Sequence, residues 1–141
     1  MSSSAKLRPP PRRFFAVADA VPQGLRVAVA MFNAGEFFEQ HEVLEELWRA
    51  EPRPIRELYQ GILQVGVGFY HLERGNHHGA LTLLDRGLAR LRTVAPDAMG
   101  LDVGGLIGAA QAARDRIAEL GPSRLDQFDR TRIPKIHWLQ R

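Results

Sequence analysis

Cysteine is absent from the 141 residues. That absence excludes disulfides, thiolate metal sites and cysteine nucleophiles together, and it suits a reducing compartment such as the cytoplasm. Long apolar runs are missing as well. The longest stretch without a formally charged residue, 58–72, still contains Gln60, Gln64 and His71 and is shorter than the roughly 20 apolar residues that cross a bilayer. No membrane contact is expected, and the stretch reads as a buried helix. Residues 1–13 hold Ser, Pro and basic side chains but lack the apolar core of a secretory signal, which points to a cytoplasmic protein. No window shows the sustained alternation of an exposed strand. No Gly-rich turn joins a strand to a helix, so a phosphate loop is excluded.

What is present belongs to an ordinary globular chain. A hydrophobic fraction of 45% and a charged fraction of 25% exclude wholesale disorder, and this length suits one domain. The pI of 9.9 invites a nucleic-acid reading, so the position of the charge matters. Lys6, Arg8, Arg12 and Arg13 stand against no acid in residues 1–13. Arg124, Arg130, Arg132, Lys135 and Arg141 stand against Asp126 and Asp129 in residues 124–141. Those segments carry +4 and +3, which leaves −4 for the body out of a total of +3. The chain therefore divides into a basic Pro-rich tail (1–18), a helical domain (19–122) and a second basic tail (123–141). Basic tails tune solubility or bind polyanions loosely, and specific nucleic-acid recognition is not expected of them.

Periodicity and punctuation predict an all-α bundle of about five helices. The first covers about 22–33 and stops at Asn33, Ala34 and Gly35. The second covers about 36–50, ending before Pro52 and Pro54. The third, about 54–74, is apolar on most sides and reads as the central, buried helix. Gly75 and Asn76 are a stop and an N-cap for the fourth, with Leu81, Leu84, Leu88 and Leu91 on one stripe. The fifth opens at Asp102 and closes at Gly121, burying Leu106, Ala109, Ala113, Ile117 and Leu120. The remaining tail either follows the bundle through Phe128, Ile133, Ile136 and Trp138 or hangs loose. The turn at Phe32–Glu36 is echoed 40 residues later at Leu72–Asn76, as in helical-hairpin repeats, although any two hairpins share such turns. Gly61, Gly66 and Gly68 imply close approach to a bulky neighbour such as Trp48. His77 and His78 read as surface residues.

One constellation suggests chemistry. At about 100° per residue, Phe37, His41, Leu44 and Trp48 share an arc of the second helix, with Glu45 at its edge. Counting back from the turn sets Gln64 of the third helix level with His41, and Gln60 level with Glu45. The expected result is a buried polar seam of His41, Glu45, Gln60 and Gln64, with Glu57 at one end and His71 toward the other. Three readings compete. The seam is a satisfied network that fixes helix register; or His41 and Glu45, with His71 as a distant third, hold a divalent metal ion; or His41 and Glu45 act as catalytic acid and base, with Gln60 and Gln64 orienting a substrate or water and Trp48 walling the pocket. The chain is thus either a partner-binding or homo-oligomeric module, a hydrolase-like enzyme with an unknown small-molecule ligand, or a loose binder of polyanions. The metal reading is short of a third strong ligand. The segment is no His-Glu-x-x-His motif, because Glu45 stands where histidine is needed.

The run Phe32-Asn33-x-Gly35-x-Phe37-Phe38-Glu39-x-His41-Glu42-x-Leu44-Glu45-x-x-Trp48-Arg49, followed by Tyr59-Gln60-Gly61-Ile62-Leu63-Gln64 and Gly75-Asn76-x-x-Gly79-Ala80, resembles a family of bacterial and archaeal proteins, domain-of-unknown-function family 309. The resemblance covers about residues 32–91. It implies a compact, soluble, all-helical domain with His41, Glu45, Trp48, Gln60 and Gln64 in one neighbourhood. It implies no activity.

Overall fold

The structure, a computed structural model, describes residues 21–140. Five α-helices follow one another: α1 Gln23–Asn33, α2 Phe37–Ala50, α3 Arg56–Glu73, α4 His77–Arg92 and α5 Val103–Leu120. The expected all-α bundle is what the chain forms, and each helix begins within two residues of its anticipated start. Successive helices pack on one another in chain order, so α3 is covered by α2 on one side and by α4 on the other. Its buried side chains include Leu58, Ile62, Val65 and Phe69. Among the described residues no helix is long and apolar enough to cross a membrane.

The echo in the sequence is an echo in the backbone. Gly35 and Gly75 take positive φ angles of 79° and 76°, the left-handed conformation that glycine adopts without steric cost. In the first turn, Gly35 N–H donates to the Phe32 carbonyl and Glu36 N–H to that of Met31. In the second, Gly75 N–H donates to Leu72 and Asn76 N–H to His71. The two hairpins, α1–α2 and α3–α4, thus share one turn chemistry. Asn76 and Asp102 cap α4 and α5, their side chains accepting from Gly79 N–H and Gly105 N–H at 2.9 Å each, as the sequence suggested.

Several details differ from expectation. The helical glycines do not make room for Trp48. Gly61 faces Leu91 and Gly87, Gly66 faces Gln40, and Gly68 faces Leu84, because α3 packs hardest against α4. Ala109 is exposed and Ala110 is buried, a shift of one position in the inward stripe of α5. A two-stranded antiparallel ribbon, β1 Asp97–Ala98 and β2 Leu101–Asp102, joins α4 to α5. His77 is half-buried, its Nε2 lying 3.0 Å from the Ile117 carbonyl oxygen, so it ties α4 to α5 rather than facing water. His78 is exposed. After α5, two short 3₁₀ turns, Pro122–Gln127 and Arg130–Arg132, lead into a segment that follows the bundle, with Leu125, Phe128 and Ile136 joined to the core.

Candidate functional site

The α2–α3 hairpin is held in register at two levels. Toward its open end, the Phe38 and Tyr70 rings lie 5.5 Å apart. Toward the connecting turn, the Arg56 guanidinium lies 4.2 Å from the Trp48 ring centroid, and its Nη2 donates to the Trp48 carbonyl at 3.2 Å. Helical spacing then fixes what lies between. His41 and Glu45 are on the stripe that joins Phe38 to Trp48, while Gln60 and Val67 are on the stripe that joins Arg56 to Tyr70. All of these but Phe38 are half-buried. Phe38 is 64% exposed. The interhelical seam therefore meets solvent along its length.

Three seam atoms, Trp48 Nε1, Arg56 Nε and Gln60 Oε1, are buried without a hydrogen-bond partner among the described residues. Two are donors and one is an acceptor, so the seam is not a fully satisfied network. Glu45 pairs with Arg49 at 3.3 Å. The His41 side chain forms no hydrogen bond among the described residues.

Gln64 and Glu57, expected in the seam, belong to a different contact. Arg90 of α4 donates through Nε to Gln64 Oε1 at 3.1 Å and through Nη1 to Glu57 Oε1 at 2.7 Å. The Gln64 side-chain carbonyl is thus bound by an arginine of α4. His71 lies near the Gly75 turn, its Nδ1 being 3.3 Å from Asn76 Nδ2. The metal reading finds no support in this arrangement. Among the described residues no group of three or more His, Asp or Glu side chains is placed to hold an ion. Seven residues of helix, roughly 10 Å, separate His71 from the level of His41.

The polar residue most deeply buried on α2 is one that attention to charge overlooks. Gln40 is 0% exposed; its Nε2 donates to the Leu63 carbonyl at 3.3 Å, and its amide fills the space left by Gly66. Helical spacing carried the signal, since Gln40 falls between the buried Phe37 and Leu44. Its polarity argued the other way. Tyr59 entered the sequence reading only as part of the family-like motif, with nothing to single it out. Its hydroxyl is buried and without a hydrogen-bond partner among the described residues, and burial raises its pKa above the usual tyrosine value, helped by the Glu51 carboxylate and opposed by Arg53. Glu51 is itself held below the usual carboxylate range by the Arg53 guanidinium, which bonds both of its oxygens at 2.7 and 2.9 Å.

The cations after α5 are largely engaged within the chain. Arg124 donates to the Leu120 and Glu119 carbonyls, Arg130 pairs with Glu73 at 2.8 Å, and Lys135 donates to the Asn33 carbonyl at 2.8 Å. The N-terminal tail of the polyanion reading lies outside the described residues.

Comparison with known sequences follows the same segment. An uncharacterized protein of Bacillus subtilis (strain 168), YpuF, is 35% identical over 85 residues, which make up 58% of this chain and 49% of that protein. An uncharacterized protein of Aquifex aeolicus (strain VF5) is 24% identical over 81 residues, 57% of this chain and 24% of that one. The chain thus spans about half the length of the first and a quarter of the second. The matched family profile runs from the buried face of α1 into α4, taking in both glycine turns and the whole α2–α3 seam. Residues 25–83 are similar to the family described as Domain of unknown function (DUF309).

Proposed function

We propose that this chain is a non-enzymatic protein-binding module that receives its partner along the α2–α3 seam. The observation that carries the reading is the set of buried atoms unpartnered among the described residues, Trp48 Nε1, Arg56 Nε and Gln60 Oε1, on a seam whose other end carries an aromatic ring as open as Phe38. Each such atom gave up water on folding without gaining a hydrogen bond among the described residues, a cost of about 1–3 kcal/mol for a neutral group. A partner that brings both a donor and an acceptor to the seam recovers that cost. Trp, Tyr and Arg are also the side chains that dominate binding energy at protein interfaces. Acid–base chemistry is less well supported, because the Glu45 carboxylate is engaged by Arg49 and a catalytic imidazole needs an orienting partner.

The test separates binding from structure. Gln60→Leu removes an orphaned acceptor, so the free chain is expected to gain up to about 1 kcal/mol of stability. The same change, and Phe38→Ser separately, is expected to abolish retention of the partner that the parent chain captures from its source cells. A Gln60→Leu chain that melts several degrees lower would mean that Gln60 serves the fold, and the reading would fail.

A further inference from the structure

Residues 133–139 cross the surface as an extended segment and are gripped by groups far away in sequence. The Asn33 amide, at the end of α1, reads the backbone of Ile136 from both sides: Ile136 N–H donates to Asn33 Oδ1 at 2.7 Å, and Asn33 Nδ2 donates to the Ile136 carbonyl at 2.9 Å. The ribbon continues the pattern. Asp102 N–H donates to the His137 carbonyl at 2.9 Å, and Leu139 N–H donates to the Gly100 carbonyl at 2.8 Å, so the segment makes an antiparallel bridge to β2 between Trp138 and Leu101. Ile136 is the side chain that fills the floor, 2% exposed. Backbone hydrogen bonds to a sheet edge together with a buried anchor side chain are the means by which folded domains bind extended peptides.

We infer that the groove between Asn33 and β2 is a binding site for an extended peptide, filled here by the chain's own residues 133–139, and that the same segment of a second copy can take its place. This surface is separate from the α2–α3 seam. The connector is built to let go. Between the buried Phe128 and the segment, Asp129, Arg130, Thr131 and Arg132 are all exposed. The contact that pins them to the bundle is the exposed ion pair of Arg130 with Glu73, a kind that holds weakly. Five residues, 129–133, extend to about 17 Å, enough to reach a neighbouring copy.

Each copy carries both the groove and its fitted occupant, so exchange between two copies closes a symmetric pair with no new chemistry. The surface agrees with a second copy. Three of the four exposed large hydrophobic residues among those described, Val27, Trp138 and Leu139, lie in this segment or next to Arg26, whose guanidinium packs 5.2 Å from the Trp138 ring centroid.

A labelled peptide of residues 132–141 is the probe, measured by fluorescence anisotropy against the full chain. Ile136→Asp releases the chain's own segment and leaves the groove intact, so it should bind the peptide at least tenfold more tightly than the parent does. Adding Asn33→Ala to that variant should remove the binding. A folded Ile136→Asp chain that does not bind the peptide overturns the site. In the unaltered parent, the Ile136 and Leu139 amides should exchange hydrogen at least 100-fold faster than those of α3; exchange only at the rate of global unfolding overturns the release. Deleting Arg130 and Thr131 shortens the connector, which should disfavour closure on its own groove relative to closure on that of a second copy. Light scattering should then show a dimer that Ile136→Asp returns to monomer, and a monomer at every concentration overturns the second copy as occupant.

Discussion

Tyr59 shows how much a single residue can be asked to give up. Its ring belongs to the core at 1% exposure, yet its hydroxyl has no partner among the described residues. The pKa is raised by burial first and by Glu51 second, so the folded chain holds this proton more firmly than the unfolded chain does. The associated stability is fully present below the ordinary tyrosine value of about 10 and is lost as pH rises through the folded value. Tyr59→Phe is therefore expected to match or exceed the parent in urea melts at pH 8, by up to about 1 kcal/mol, and to decline less steeply above pH 10. Parallel decline of the two proteins would contradict this account. At this scale the sequence was only partly legible. Counting along two helices set an expected level for Gln64, but nothing local to Gln64 revealed that Arg90, 26 residues on, would bind it. Gln40 was hidden by its own polarity.

Elements were far more legible than their contacts. Helix ends were marked by residues with a direct physical effect: Gly35 and Gly75 at positive φ, Pro52 and Pro54 where a helix cannot continue, Asn76 and Asp102 as caps. The ribbon was not, since strands of two residues carry no alternation and depend on a bridge from Leu101 to Trp138. The strongest element contact, α3 on α4, turns on a place where two glycines meet. A Cβ on Gly87 would lie 2.8 Å from Val65 N and 2.9 Å from the Gly61 carbonyl oxygen. Both are backbone atoms, which cannot swing aside as a side-chain tip can. Gly87→Ala is expected to cost about 1–3 kcal/mol through overpacking. Gly108 of α5 is the control, exposed and with nothing within 4 Å of a Cβ; Gly108→Ala should stabilise by about 0.5–1 kcal/mol through helix propensity alone. Chemical denaturation of the two variants beside the parent tests both signs, and a Gly87→Ala chain as stable as the parent would show that the helices can part without penalty.

Across the whole molecule, the segment after α5 connects the two hairpins through equivalent positions. Asn33 and Glu73 are 40 residues apart and occupy the same place before their respective glycine turns; the first holds Ile136 and the second holds Arg130. The sequence could offer Ile136 as a candidate for burial but not its anchor, because the amide that binds it is 103 residues away. The two grips are physically unlike. Asn33 satisfies a partly buried N–H and carbonyl at once, so Asn33→Ala leaves two backbone groups without partners, at an expected cost of about 1–3 kcal/mol. Arg130 and Glu73 form an exposed pair, so Arg130→Ala should cost less than about 1 kcal/mol, and that small cost should shrink further in high salt. Urea melts of both variants at low and high salt distinguish the two cases. Equal, salt-sensitive losses would mean that the segment is held by charge rather than by the amide, and that the Asn33 groove has no grip of its own.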